Sequence, residues 1–346
     1  MPLYDALVDE VGVEQWRGRH EQGCALAAAG YARASGKLGV CIATSGPGAT
    51  NLITGVANAH RDSIPMLVIT GQVPSGLIGT DAFQETDVLG MTLGIVKHSY
   101  LIDDADSLPA IMEEAIELAQ SGRPGPVWID IPKDLLLTDV ADAPLSQPEP
   151  RDTASTDLTE ALTMLRAARK PLLYSGGGIS LAHAEETFRA FAESSALPAV
   201  VTLKGIGNPG KHNPYNLGLL GMHGSRAANK AVDECDLLLV IGARLDDRAT
   251  GKLDGFAPNA KLIHIDADAA EINKLRDADL AIRGDLNEIL TSLADALQAE
   301  PLAIKEWRKQ CRTWYTTGRP HAADHAAPPA PTPRPAAHHH AHRTSP

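Results

Sequence analysis

Glu21 stands at the mouth of "GRHEQGCALAAAGYARASG" (Gly18–Gly36), a stretch whose small residues suit a closely packed helix. An acid there has two readings. It can complement the positive end of the helix dipole, or, partly buried with a shifted pKa, it can hold or move a proton. Spacing alone favours the first. "TSGPGATN" (Thr44–Asn51) follows an apolar run and precedes a helical one. Such a turn presents backbone N–H groups to an anionic or polar ligand, or simply joins strand to helix. "YSGGGIS" (Tyr174–Ser180) repeats the arrangement with three glycines, which let a ligand approach the backbone as at a dinucleotide diphosphate. "GIGNPG" (Gly205–Gly210) has the literal GxGxxG spacing, but it contains Pro209 and leads into "KHNPYN" instead of a helix, so it is set aside. In "IGARLDDRATG" (Ile241–Gly251), Arg244 and Arg248 could hold phosphates, and Asp246 or Asp247 could accept from hydroxyls. The plainer reading is a solvated loop of paired charges. Asp266 ends an apolar run, where acids hold ribose hydroxyls in dinucleotide folds; alternatively Asp266 or Asp268 caps a following helix. The first block offers no nucleophile–base pair and no metal cluster.

The elements that must position these residues alternate in type. Near-continuous apolar runs read as buried parallel strands: Leu38–Thr44, Met66–Gly71, Pro126–Ile131, Pro171–Gly176, Pro198–Leu203, Asp236–Gly242 and Lys261–Asp266. Helical patterns lie between them, among them Ala105–Ser121, Thr156–Ala168, Leu181–Ser195 and Asn287–Ala299. The alternation predicts an α/β fold of two doubly wound parallel-sheet domains. The polar, Pro-rich segment 141–156 reads as a linker between a first domain, 1–140, and a second, 157–318. From 319 to 346 the chain lacks Leu, Ile, Val, Phe, Met and Trp, and it is expected to be a disordered tail; its run His338–His340 lacks ordered partners for a metal. The opening "MPLYDALVDEVGVEQWRG" contains no strand, so the first domain reads as beginning part-way through.

Composition narrows the partners. With 31 basic and 43 acidic residues the net charge is −12, which argues against nucleic acid or an anionic membrane as partner. Aromatics are 4% of the chain, so the cores should be aliphatic. Cys24, Cys41, Cys235 and Cys311 form no CxxC pair and read as small buried hydrophobes in a reducing, cytoplasmic compartment.

Beyond these readings, "RHEQGCALAAAGYARASGKLGVCIATSGPGATNLITG" resembles the pyrimidine-binding domain of acetohydroxyacid (acetolactate) synthase large subunits, which are thiamine-diphosphate enzymes. "IPMLVITGQVPSGLIGTDAFQETD" (Ile64–Asp87) is more specific to that family, and the second block, preceded by "GRPGPVWIDIPKD" and containing "GGG", "LGMHG" and "GARLDDRATG", is similar to its FAD-bearing central domain. The resemblance covers about Pro2 to Gly318. It implies that Glu21 hydrogen-bonds N1′ of the cofactor's aminopyrimidine, that Pro47 and Asn51 line the cofactor, and that Gln84 is an active-site amide. It implies that Phe83 and Lys133 flank the substrate channel. It places Arg123, Gly176, Gly177, Thr202, Leu203, Gly221, Met222, His223, Gly242, Arg244, Asp246, Arg248, Asp266 and Asp285 against FAD, which is not used there for redox turnover. The implied reaction decarboxylates pyruvate on thiamine diphosphate and joins the remaining two-carbon unit to a second pyruvate or to 2-ketobutyrate, in branched-chain amino-acid biosynthesis. A homodimer and a regulatory small subunit are implied as partners.

Three departures accompany the resemblance. The family's first strand and Gly-Gly turn precede the part matched here. Leu93 and Gly94 stand where the family usually has Arg and Pro. The Gly-Asp-Gly motif that holds Mg²⁺ and the cofactor diphosphate does not occur; "GDL" (Gly284–Leu286) lies in the FAD-type part. The expectation is therefore that this chain alone has little or no synthase activity. The alternatives are a non-catalytic flavin-binding fragment and another thiamine-diphosphate decarboxylase or transferase.

Overall fold

The computed structural model describes residues 2–140 and 157–317, so the expected linker and tail lie outside the described residues. Two parallel sheets organise the rest. The first contains β1 (Gly39–Ala43), β2 (Met66–Gln72), β3 (His98–Leu101) and β4 (Pro126–Pro132) in the order β1-β2-β4-β3. Alternate residues of its central strands face opposite cores, as a period of two requires. Val68 and Trp128 join Ala25, Leu52 and Val56 under the helices Glu21–Ser35 and Pro47–Asp62. Leu67, Ile69, Val127 and Ile129 meet Ala115 and Ala119 of the helix Leu108–Gln120 on the other face. Small residues set the helix spacing: a Cβ on Gly55 would lie 2.5 Å from that of Ala25.

The second sheet holds β5 (Pro171–Ser175), β6 (Ala199–Val201), β7 (Asn216–Leu219), β8 (Leu237–Ile241), β9 (Lys261–Asp266) and β10 (Leu280–Arg283), ordered β10-β9-β8-β5-β6-β7. The chain enters at the centre, winds outward through β6 and β7, then returns to wind the other way. Its direction therefore reverses between β5 and β8, the place where open α/β sheets bind ligands. The helices Thr159–Ala167, Glu185–Ser195, Arg226–Glu234, Leu286–Ala299 and Lys305–Thr317 pack around one core.

The expected α/β architecture is present, with seven anticipated strands and three more. The additions, "HSYL", "NLGL" and "LAIR", are four-residue edge strands. β3 contains no buried residue and β7 and β10 contain one each, so none shows a continuous apolar run. The run Pro198–Leu203 forms strand only at Ala199–Val201, because the Thr202 side chain accepts from Gly205 N–H and starts a turn. The cores are mainly aliphatic, yet Trp128, Tyr174, Phe188 and Phe191 are among the largest fully buried side chains. Cys41, Cys235 and Cys311 are buried and Cys24 is partly so, all as free thiols. No helix among the described residues is long and apolar enough to cross a membrane.

Candidate functional site

The two groups of candidate residues lie at opposite edges of the first sheet. Ala43, Thr70 and Asp130 are in register, so the segments leaving β1, β2 and β4 emerge along one carboxyl edge. Pro47 and Asn51 follow β1, Phe83 and Gln84 follow β2, and Lys133 follows β4. Gly46 adopts φ 58° and ψ −119°, and Pro47 opens the next helix. A Cβ on Gly46 would lie 2.8–2.9 Å from Cβ, Cα and the carbonyl oxygen of Gln84, which itself has φ 62°. The glycine thus lets Gln84 settle against the helix entrance.

Glu21 faces the same entrance from the first turn of its helix, where His20 caps Gln22 N–H at 3.2 Å. Asn51 Nδ2 donates to Glu21 Oε2 at 3.0 Å. That bond, a local backbone bond and the nearby His20 outweigh slight desolvation and hold the Glu21 pKa below its usual value. Glu21 is therefore an ionised, oriented acceptor as well as a charge at the helix start. Phe83 is 89% exposed, and Lys133 is exposed, its backbone N–H donating to Gln72 O at 3.2 Å. Leu93 is exposed and Gly94 has open space around it; nothing in the structure explains their departure from Arg and Pro.

Beneath this edge lies a buried polar group that the sequence reading passed over. Asp130 is 1% exposed and accepts from Thr70 Oγ1 and Gln72 Nε2. An acid inside the apolar run "PVWIDIP" was the available signal.

The second group surrounds a cavity of about 620 Å³ between the amino edge of the first sheet and the carboxyl edge of the second. Arg123, Gly176, Gly177, Thr202, Leu203, His223, Gly242, Arg244, Asp246, Arg248 and Asp266 all line it. Asp285 instead borders an adjoining cavity and caps the helix Leu286–Ala299 through Asn287 N–H at 2.8 Å. Gly221 and Met222 line neither cavity, and Met222 is 76% exposed. The strand-end glycines are needed for backbone packing: a Cβ on Gly178 would lie 2.6 Å from Gly242 Cα, and Gly242 has φ 58°.

Charges in the cavity tie the two sheets together. Arg123 donates to Ser63 Oγ at 2.8 Å and pairs with Asp268 at 3.2 Å and with Glu271. Arg244 donates to the Arg61 carbonyl at 2.9 Å, and Lys204 pairs with Asp62. Lys204, Asp62 and Glu271 escaped the sequence reading, because their significance lies in contacts across 140 or more residues. The four charges of Arg244–Arg248 do not pair with one another among the described residues. Asp246 accepts from the Arg248 backbone at 3.2 Å and starts a short helix, Asp247–Thr250. Asp266 caps no helix; it accepts from Asp268 N–H at 2.9 Å, and burial pushes its pKa up to about 6. No group of three potential metal-binding side chains occurs among the described residues.

Residues 1–91 match the family model "Thiamine pyrophosphate enzyme, N-terminal TPP binding domain", and residues 158–293 match "Thiamine pyrophosphate enzyme, central domain". The chain is 54% identical over 313 residues to the acetolactate synthase isozyme 2 large subunit of Escherichia coli, covering 90% of this chain and 56% of that relative. The chain belongs to the acetolactate synthase large-subunit family. Other members include the large subunit of Parasynechococcus marenigrum, 49% identical across 91% of this chain and 53% of its own length. A third is acetolactate synthase 1, chloroplastic, of Zea mays, 47% identical across 86% of this chain and 48% of its own length. The chain thus spans about half the length of these curated relatives.

Proposed function

We propose that this acetolactate synthase family chain contributes the aminopyrimidine-binding and flavin-binding parts of a carboligase acting on pyruvate and a second 2-ketoacid. Its two domains, 1–140 and 157–318, would carry one part each, working in the cytoplasm with a second large subunit and a regulatory small subunit. The observation that carries this reading is the ionised Glu21 carboxylate fixed by Asn51 at the entrance of the helix Pro47–Asp62.

The donor set fits the cofactors. An ionised carboxylate held in one orientation accepts a hydrogen bond from a protonated ring nitrogen, which suits the aminopyrimidine of thiamine diphosphate. That cofactor, when bound, supplies the carbanion and electron-sink chemistry. Glu21 stabilises positive charge at the ring nitrogen, Asn51 keeps Glu21 ionised and aimed, and Gln84 offers an amide to a polar substrate group. Phe83 and Lys133 border the approach along the same edge. At the other edge, the glycine-lined backbone of Gly176–Gly178 and the cations Arg244 and Arg248 suit a diphosphate, and Asp266 suits a hydroxyl donor. The flavin there is assigned a binding role and no redox turnover, as the family resemblance implies.

Titration calorimetry with thiamine diphosphate and FAD tests the two parts separately. E21Q should weaken thiamine diphosphate binding about tenfold, the worth of one charge-assisted hydrogen bond, and leave FAD binding unchanged. Equal thiamine diphosphate affinity in both proteins sinks the role of Glu21. The reaction is tested by co-expression with the Escherichia coli relative carrying glutamine in place of its corresponding glutamate. This chain, but not its E21Q variant, should restore acetolactate formation from pyruvate. Absence of rescue by the intact chain contradicts the catalytic part, and FAD binding alone would then favour the flavin-binding alternative.

A further inference from the structure

Asp130 has no part in the function proposed above, yet it lies buried on a central strand with both carboxyl oxygens engaged. Thr70 Oγ1 donates to Oδ1 at 2.6 Å and Gln72 Nε2 donates to Oδ2 at 2.9 Å. Thr70 Oγ1 also accepts from the Trp128 indole N–H at 2.7 Å. The Gln72 amide is committed on every side: Nε2 donates a second bond to the Thr86 carbonyl at 2.8 Å, and Oε1 accepts from Val73 N–H at 2.9 Å. A carboxamide has a donor end and an acceptor end that a flip would exchange. With acceptors at Asp130 and Thr86 and a donor at Val73, only one orientation satisfies all three partners.

Thr86 belongs to the loop that carries Gln84. Glu85 closes that loop by accepting from Ala82 N–H at 3.0 Å and from Gly79 N–H. Asp87 accepts from Gly90 N–H at 2.9 Å and starts the helix Val88–Thr92. Between these points Gln84 rests on Gly46, one turn before Asn51. The chain of contacts therefore runs from the core carboxyl to the edge where Glu21, Asn51 and Gln84 meet.

We propose that Asp130 is a positioning residue that fixes the Gly79–Asp87 loop, and with it Gln84, through the Gln72 amide and the Thr86 carbonyl. The importance of Gln84 rests on the function proposed above; the fixing of the loop does not. Burial raises the Asp130 pKa to about 7, opposed by its two hydrogen bonds. The groups that meet it are neutral: Thr70 and Gln72 from β2, with Leu101 of β3 and Ile102 just after it alongside. Above that pH the carboxylate accepts two charge-assisted bonds. As pH falls through about 7 it gains a proton, and the bond from Gln72 weakens to a neutral one.

The test uses the full chain without cofactor. Hydrogen–deuterium exchange gives protection factors for 79–87 at pH 6 and pH 8, corrected for intrinsic exchange, and NMR follows the Trp128 indole N–H across the same range. Protection should be roughly three- to tenfold higher at pH 8, with the indole signal titrating in parallel. Q72M should abolish the pH dependence in the loop while keeping the indole titration. D130N should abolish both. If D130N fails to fold, the unmodified chain and Q72M decide the matter. Loop protection that ignores pH, or that follows pH as strongly in Q72M, overturns the proposal. Failure of the Gln84 assignment would look different: Q84A would leave acetolactate formation in the co-expression assay intact while loop protection still depended on Asp130.

Discussion

Two carboxylates of this molecule are shifted in opposite directions, and local surroundings decide the sign. Glu21 lies near solvent and gains a donor from Asn51, so its charged form is favoured. Asp266 is mostly desolvated at the end of β9, with Asp268 and Glu271 nearby, and only Asp268 N–H and Arg123 act to lower its pKa. Its folded pKa of about 6 is raised above the ordinary value for Asp. The folded state therefore pays nothing for Asp266 below pH 4, and loses stability as pH rises through 6. D266N keeps an oxygen to accept from Asp268 N–H and removes the buried charge. Urea unfolding should show D266N more stable by roughly 1–2 kcal/mol at pH 7.5 and equal to the unmodified chain near pH 4. A cost of that kind, kept at a cavity wall, matches the hydroxyl-binding use proposed for Asp266. The sequence showed Glu21 and Asp266 as acids at element ends. It could not show their opposite shifts, which depend on Asn51 thirty residues away and on the burial of Asp266 at the cavity wall.

Among the elements, the helix Lys305–Thr317 lies beyond the part matched by the central-domain model, 158–293, yet it belongs to the same core. Trp307 is 3% exposed, and its indole N–H donates to the Pro171 carbonyl at the start of β5 at 2.9 Å. Arg308 donates to the Ala196 carbonyl at 2.8 Å and the Ser195 carbonyl at 3.0 Å, closing the end of the helix Glu185–Ser195. W307A would leave a void against β5 and an unpaired carbonyl. It should cost about 3–5 kcal/mol, read as a lower urea midpoint in fluorescence or circular dichroism. An unchanged midpoint would make the helix an accessory. The buried strands were legible because parallel strands covered on both faces must be apolar throughout. The edge strands β3, β7 and β10 were not, since four residues with at most one of them buried leave no distinctive pattern. Gly176, Gly178 and Gly242 read as ligand-approach glycines, and their first duty proves to be backbone packing between β5 and β8. A one-dimensional sequence does not reveal which of two backbones a glycine admits.

At the scale of the whole molecule, the first sheet is flanked by two cores and the second is surrounded by its own, so the sheets meet through polar contacts more than through a common core. Arg123 is the hub of that meeting. It reaches Ser63 from one side and Asp268 and Glu271 from the other, and Glu271 is nearly buried. Lys204 and Arg244 add ties to Asp62 and the Arg61 carbonyl. Exposed pairs of this kind are worth little, but removing a cation from a buried carboxylate leaves an unpaired charge. R123M keeps most of the apolar stem and removes the charge. Lys274, at 3.1 Å, still partners Glu271, so the loss should be about 1–3 kcal/mol, below that of a fully buried pair. The loss falls on the contact between the sheets, which gives it a distinct signature. Calorimetry should show one cooperative transition in the unmodified chain and two separated transitions in R123M, because each core retains its own packing. R33M, which removes a more exposed pair with Asp62, should leave the single transition intact. If FAD binds this cavity as proposed, it would touch residues of both sheets besides Arg123, so adding FAD should draw the two transitions of R123M together. A single transition in R123M without ligand would show that the apolar packing couples the sheets unaided.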